Sequence, residues 1–270
     1  MKIFDTHCHL DDSSYKKDLE GTIKRAYQND VCGFMSVGTD KKTSAIAIEI
    51  ANSMENCYAS VGFHPHYAKE CADEEIEFLK ELVRKNKKVK AWGEIGLDFN
   101  RMYSPQKDQE EMFVKQLEAA FSLELPVIFH ERDSNGRFYE VLKANINESK
   151  SVKGVVHCFS GDKRELEKYL DLGLYIGITG IITVKSRGAK LRSLASFIPK
   201  DRIVIETDAP YLTPAPYKNK VKRNEPAFVK AVFLTLSRLF EIEEEEFSKI
   251  LWENSLKLFS IEESPIIKNT

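Results

Sequence analysis

The chain has 270 residues, with 40 lysines and arginines against 42 aspartates and glutamates, for a formal net charge of −2. At 42% hydrophobic and 30% charged it falls in the soluble globular range, which excludes a disordered or fibrous architecture. No window reaches the roughly 18 uninterrupted apolar residues of a membrane span, and near-neutrality leaves no global basic footprint, so any nucleic-acid contact has to be local.

The first residues, Met1 to His7, show no basic region followed by an apolar run and a small-residue cleavage site, which predicts a cytoplasmic protein with no membrane association. Short β-branched runs then alternate with helical patterns. In order, the strand candidates are Ile3–His9, Val31–Val37, Cys57–Phe63, Val89–Ile95, Pro126–His130, Val152–His157, Leu174–Ile178 and Arg202–Asp208. The clearest helix between them follows Ser104-Pro105, with Ser104 expected as N-cap and Pro105 at the first helical position. Phe113, Leu117, Ala120 and Phe121 form its apolar stripe. Two more helices follow the last strand. One opens at Pro226 and carries Phe228, Val232, Phe233, Leu236, Leu239 and Phe240; the other carries Phe247, Ile250, Leu251 and Leu258. Asn254 lies in that second stripe, so its amide is expected to bond to a loop backbone. The acidic run Glu241–Glu246 suits a helix start, where negative charge meets the positive end of the dipole.

Eight strand–helix units predict a parallel sheet with right-handed crossovers, and eight is the number that closes a (β/α)8 barrel of about 250 residues. A doubly wound open sheet is the alternative. Residues 1–270 read as one domain, without linker, repeat or low-complexity segment. The five cysteines (Cys8, Cys32, Cys57, Cys71, Cys158) are odd in number and form no C-x-x-C pair, which argues against a disulfide framework and a thiolate zinc knuckle.

All six histidines (His7, His9, His64, His66, His130, His157) fall at or just past the C-terminal end of a proposed strand, the face at which barrel active sites are built. In Asp5-Thr6-His7-Cys8-His9, residues two apart point the same way, so Asp5, His7 and His9 are expected on one face and Cys8 on the other as a packing residue. Two imidazoles about 6.6 Å apart along a strand can converge on one divalent ion. Glu94 stands in an otherwise apolar strand beside Gly93 and Gly96; buried there, it needs either an Arg or Lys partner or metal ions to bridge. His130, His157 and Asp208 close three further strands. His7, His9, Glu94, His130, His157 and Asp208 together suit two divalent ions roughly 3.5–4 Å apart, bridged by a carboxylate and a water.

At these residues the sequence resembles the TatD family of metal-dependent deoxyribonucleases, within the amidohydrolase-like barrels. The matching stretches are Asp5-Thr6-His7-Cys8-His9-Leu10, Gly62-Phe63-His64-Pro65-His66, Gly93-Glu94-Ile95-Gly96-Leu97-Asp98 and Ile128-Phe129-His130-Glu131-Arg132. His157-Cys158-Phe159-Ser160-Gly161, Glu206-Thr207-Asp208-Ala209-Pro210-Tyr211-Leu212, Arg223-Asn224-Glu225-Pro226 and Glu253-Asn254 complete the set, in order along the chain. The resemblance implies a divalent-metal hydrolase of DNA phosphodiesters, acting typically from the 3′ end. By motif, His7, His9, Glu94 and Asp208 would hold one ion, and Glu94, His130 and His157 the other.

On this reading Asp208 orients a bridging water and accepts its proton, and Glu94 bridges the ions. His64 and Arg132 are the expected phosphate contacts. Arg223, with Lys218, Lys220 and Lys222, forms a cationic loop to grip a strand's backbone. Tyr211 and Tyr103 are candidates to stack a terminal base. The expected cofactors are two divalent ions (Mg²⁺, Mn²⁺ or Zn²⁺), the expected partner is DNA, single-stranded or at its 3′ ends, and a monomer is expected. Two alternatives stay open: a hydrolase of a small amide, lactone or phosphotriester on the same barrel, and a non-catalytic protein that kept the fold. Glu94 stands where many such amide and lactone hydrolases carry a carbamylated lysine, which favours the phosphodiester.

Overall fold

A computed structural model describes residues 1–146 and 152–262. Eight strands form one parallel sheet in sequence order: β1 (Ile3–Cys8), β2 (Val31–Val37), β3 (Cys57–Val61), β4 (Val89–Asp98), β5 (Val127–Arg132), β6 (Gly154–Val156), β7 (Tyr175–Ile178) and β8 (Ile203–Ile205). The helices are α1 (Leu19–Tyr27), α2 (Lys41–Asn52), α3 (Asp73–Lys85), α4 (Gln106–Ser122), α5 (Arg137–Asn145), α6 (Lys163–Asp171), α7 (Ala189–Ala195), α8 (Val229–Phe240) and α9 (Glu244–Leu258). The ring closes between β8 and β1. His9 N donates to Ala209 O, Asp208 N to His7 O, and the Thr6 hydroxyl to Ile205 O. A sheet without edges, ringed by helices, is the (β/α)8 barrel.

Strand parity divides the apolar residues into two packed bodies. Phe4, Met35, Val37, Ala91, Ile128, Val155, Tyr175 and Val204 fill the inside of the barrel. Ile3, Cys8, Phe34, Trp92, Ile95, Phe129, Val156 and Ile176 point outward against the helices. The end of α9 plugs the barrel floor: the Trp252 ring lies 5.8 Å and the Phe259 ring 6.2 Å from Phe4. Burying an aromatic or branched side chain contributes about 1.5–3 kcal/mol, so this floor leaves only the opposite mouth open to water. Asn254 does what its stripe position predicts, its amide donating to Lys200 O and Ile203 O and tying α9 to the foot of β8.

The helices correct two expectations. Ser104 is not the cap of α4. Its hydroxyl donates to His66 O and accepts from Lys69 N, clamping the turn that carries His64 and His66, and Pro105 takes the N-cap position. Leu239, placed in the α8 stripe, faces solvent. Among the described residues no helix is long and apolar enough to cross a membrane.

Candidate metal centre

Three site residues follow from the alternation that packs the barrel. On β5, Ile128 points inward, so His130 and Arg132 do as well. Val155 inward on β6 aims His157 inward, and Val204 inward on β8 aims Glu206 inward. The lower layer is apolar and the layer two residues further on is polar. Departures from regularity place the rest. The ladder shifts between Asp5 and Cys8 on β1 and between Trp92 and Ile95 on β4. Gly93 and Gly96 take φ of 146° and 145°, conformations closed to other residues, and a Cβ on Gly96 would lie 2.0 Å from His130 O. Gly177 serves differently: a Cβ there would lie 2.7 Å from Glu206 Oε2, so its absence makes room for that carboxylate inside the barrel.

All six predicted ligands meet, with Glu94 at the middle. Glu94 is 3% exposed and has no lysine or arginine partner among the described residues, so the bland alternative of an ion pair is ruled out. Its two oxygens face different sets. Oε2 lies 3.4 Å from His7 Nε2 and 4.0 Å from His9 Nε2, while Asp208 Oδ1 lies 3.8 and 3.4 Å from the same two nitrogens, which are 3.3 Å apart. Oε1 lies 2.5 Å from His130 Nδ1, 3.5 Å from His64 Nε2 and 3.6 Å from His157 Nε2. A tetrahedral shell of nitrogen and oxygen ligands at about 2.0–2.2 Å has edges of about 3.3–3.6 Å. The first set has the size of a cation's ligand shell, and the donor chemistry fits a divalent transition ion.

Three of the four predicted ligand imidazoles have an acceptor near the outer nitrogen. Val37 O is 3.2 Å from His9 Nδ1, Glu206 Oε1 is 2.8 Å from His157 Nδ1, and Asp98 Oδ2 is 3.4 Å from His130 Nε2. A carbonyl or carboxylate near these three outer nitrogens favours the proton there and a lone pair toward Glu94, the arrangement a ligating histidine needs, whereas His7 Nδ1 is buried with no hydrogen-bond partner among the described residues. His64 is wired the opposite way. Its Nδ1 accepts from His66 N at 3.1 Å, so the neutral ring carries its proton on Nε2. Despite its closeness to Glu94, His64 is a hydrogen-bond donor.

Burial alone would raise the Glu94 carboxyl, but the imidazoles of His64, His157, His7 and His130 outweigh it and hold the group well below the usual range. Burial likewise pulls His9, His130 and His157 down. The facing carboxylates reverse this, Asp208 at His9, Asp98 and Glu94 at His130, Glu206 and Glu94 at His157, and bring each ring to about 9. His7 is lowered by burial and by the His157 ring stacked 3.6 Å away. Stripped of metal, the three raised imidazoles contribute stability that is complete below their ordinary 6.5 and is lost as pH rises through about 9. Metal binding needs the same rings neutral and strengthens over that interval. Chelated protein is therefore expected to melt at progressively lower temperature between pH 6.5 and 9 while metal-loaded protein holds, so the gap widens. Parallel thermal melts check this; a gap that narrows with pH would place proton–metal competition elsewhere.

Other expectations need correction. Asp5 does not line up with His7 and His9. The register shift turns its carboxylate to Thr207, which donates from N at 2.8 Å and from its hydroxyl at 2.6 Å, and burial pushes the acid up to about 8. Arg223 is not at the mouth. Its guanidinium donates to Ser14 O, to Asp18 Oδ2 at 3.1 Å and to Glu225 Oε1 at 3.2 Å, and packs 4.3 Å over the Tyr15 ring, so it braces the β8–α8 loop against the segment before α1. Lys218, Lys220 and Lys222 are exposed on that loop and line neither cavity at the centre. Arg132 does line the mouth, and Tyr211 and Tyr103, 55% and 57% exposed, stand at its rim against His9 and His66.

Two functional carboxylates were missed. Glu206 backs His157, and Asp98 accepts from His66 Nε2 at 2.8 Å while backing His130. The signal was present: Glu206 follows Ile203-Val204-Ile205, the same acid-in-an-apolar-run that singles out Glu94.

With this geometry in place, three comparisons bear on the chain. The family of TatD related DNases matches residues 4–260. An uncharacterized metal-dependent hydrolase, YabD, of Bacillus subtilis is 37% identical over 96% of this chain and 99% of its own, and a 3′-5′ ssDNA/RNA exonuclease TatD of Rahnella is 39% identical over 96% and 98%. Among solved structures, the TatD homologue YjjV of Escherichia coli superposes with a TM-score of 0.88 at 31% identity, covering 96% of this chain and 98% of that one.

Proposed function

The chain belongs to the family of TatD related DNases and is a metal-dependent hydrolase, and from that premise we propose that it removes nucleotides from the 3′ end of single-stranded DNA with two divalent ions and a bridging water. The observation that carries the two-ion reading is the division of the Glu94 carboxylate, one oxygen toward His7 and His9, beside which Asp208 Oδ1 lies, and the other toward His130, His64 and His157. On this reading His7, His9, Glu94 and Asp208 would hold one ion and Glu94, His130 and His157 the other.

When bound, the ions supply Lewis acidity, lowering the pKa of water in the site and offsetting charge on the phosphoryl oxygens. The side chains do the rest. The Asp208 carboxylate orients the water and takes its proton as the new oxygen–phosphorus bond forms. The bond from phosphorus to the 3′ oxygen of the preceding nucleotide then breaks, and the proton taken by Asp208 passes to that oxygen, which leaves as the strand's new 3′ hydroxyl. His64 Nε2–H donates to a non-bridging phosphoryl oxygen, and the Arg132 guanidinium, which has no ion pair among the described residues, neutralises charge growing there. Tyr211 and Tyr103 offer ring faces to the terminal bases. One barrel spanning the chain carries the whole activity, as a monomer in the cytoplasm.

The test is a time course on short single strands labelled at either end, with purified protein that has been chelated and then given Mg²⁺, Mn²⁺ or Zn²⁺. Mononucleotides are expected from the 3′ end, with activity absent in chelator and restored by metal. Activity indifferent to chelator would remove the two-ion mechanism. Turnover of a lactone or small amide in preference to DNA would favour the other barrel chemistry.

A further inference from the structure

The mouth has two lobes. Cavities of about 350 and 610 Å³ meet above the centre and share Arg132, Arg187 and Asp208 in their walls. The larger has Asp11 and Asp12, beside Tyr211, and also Arg101 in its wall; the smaller reaches past Gly161 to Lys190. Two acids also line the smaller cavity and, like Asp12 of the larger, which accepts from Ser14 N at 2.8 Å, both are engaged within the protein. Glu131 accepts from the Ser134 hydroxyl at 2.7 Å and Asp133 from Asn100 Nδ2 at 2.7 Å. The side chains of Arg132, Arg187 and Lys190 form no hydrogen bond or ion pair among the described residues.

Arg187 differs from an ordinary surface arginine in how its backbone is held. The Arg192 guanidinium, from α7, donates to Ile182 O at 2.6 Å and to Val184 O at 3.0 Å. Gly188 N donates to Val184 O at 2.8 Å, and the Thr183 hydroxyl bonds Gly180 O and Ala215 N. The loop is tied on both sides of a side chain that is itself exposed and unpartnered. A guanidinium on a fixed loop presents its fork to an oxyanion at little ordering cost.

We propose that Arg187 binds the phosphodiester immediately interior to the scissile one. The body of the strand, which carries all the remaining phosphates, lies over the Arg132–Arg187–Lys190 side. The terminal nucleoside, which has no further phosphate, lies on the Asp11–Asp12 side, beside the Tyr211 ring. This rests on the nuclease reading above and adds to it a subsite that fixes the strand's direction.

The experiment pairs R187A with an oligonucleotide whose interior neighbouring linkage is a neutral methylphosphonate. On ordinary DNA, R187A is expected to raise KM about tenfold, with kcat changed by no more than about twofold. The neutral linkage should raise the wild-type KM by the same factor, and the two changes together should do no more than either alone. Arg187→Lys should recover only part of the loss. Bis(p-nitrophenyl) phosphate, a diester without a second phosphate, should be hydrolysed equally by wild type and R187A. An unchanged KM in R187A, or the same rise on the neutral linkage as on DNA, would overturn the subsite while leaving the nuclease reading intact. Wild-type protein that cleaves no oligonucleotide would overturn both.

Discussion

Replacing Asp208 by Asn is expected to cut kcat on single-stranded DNA by about 10³-fold, the loss typical of a displaced general base, while the protein still purifies with metal. The amide keeps the size of the carboxylate and an oxygen to set against His9 Nε2, now 3.4 Å from Oδ1. It loses the negative charge and the capacity to accept a proton from water. Asp208 sits in the left-handed region at φ 55°, anchored by its N–H to His7 O and by its C=O from Tyr211 N, and these backbone bonds survive the change. Asp and Asn both tolerate this conformation. His7, His9 and Glu94 remain to hold the ion. The measurement is metal per chain by elemental analysis beside single-turnover cleavage. Undiminished cleavage would remove Asp208 from the chemistry, whereas loss of metal and rate together would make it a ligand alone.

Much of this centre was legible because one rule, alternation along a strand, both fills the barrel and aims the ligands. Ile128 and His130, Val155 and His157, and Val204 and Glu206 are each two residues apart, so an apolar run ending in a polar residue announces a floor and a rim at once. The rule fails where strands are irregular. The shift between Asp5 and Cys8 separates Asp5 from the histidines it should accompany, and no local pattern announces it.

The other misreadings share a cause of a different kind, a partner brought close only by closure of the ring. Arg223 reads as a cation for a phosphate until α1 delivers Asp18, 205 positions away in sequence, to its guanidinium. Ser104 has the composition of an N-cap, but the His66 carbonyl and Lys69 amide reach its hydroxyl first. Arg187 went unnoticed for the converse reason. It sits in an unremarkable Lys185-Ser186-Arg187 stretch, and only the Arg192 bonds beneath it and the cavities in front of it distinguish it from a solvated side chain.

Glu94→Gln is expected to have the larger effect still, lowering activity by about four orders of magnitude or more and, unlike the change at Asp208, emptying both halves of the centre together. The reason is that Glu94 alone belongs to both sets. Of the carboxylates, His9 lies against Oε2 and Asp208, and His130 against Oε1 and Asp98, so His9→Ala and His130→Ala should each lower metal content by one set and leave the other measurable. In Glu94→Gln the amide turns two N–H donors toward imidazole nitrogens whose lone pairs are needed for metal. The fold should survive. His130 and His157 owe their raised pKa partly to Glu94, so its loss lets them shed protons rather than leaves uncompensated charge in the barrel. Elemental analysis of the three variants, with circular dichroism as the control for folding, separates the cases. If Glu94→Gln retained as much metal as His9→Ala, the carboxylate would be a ligand to one ion, and the shared centre would have to be abandoned.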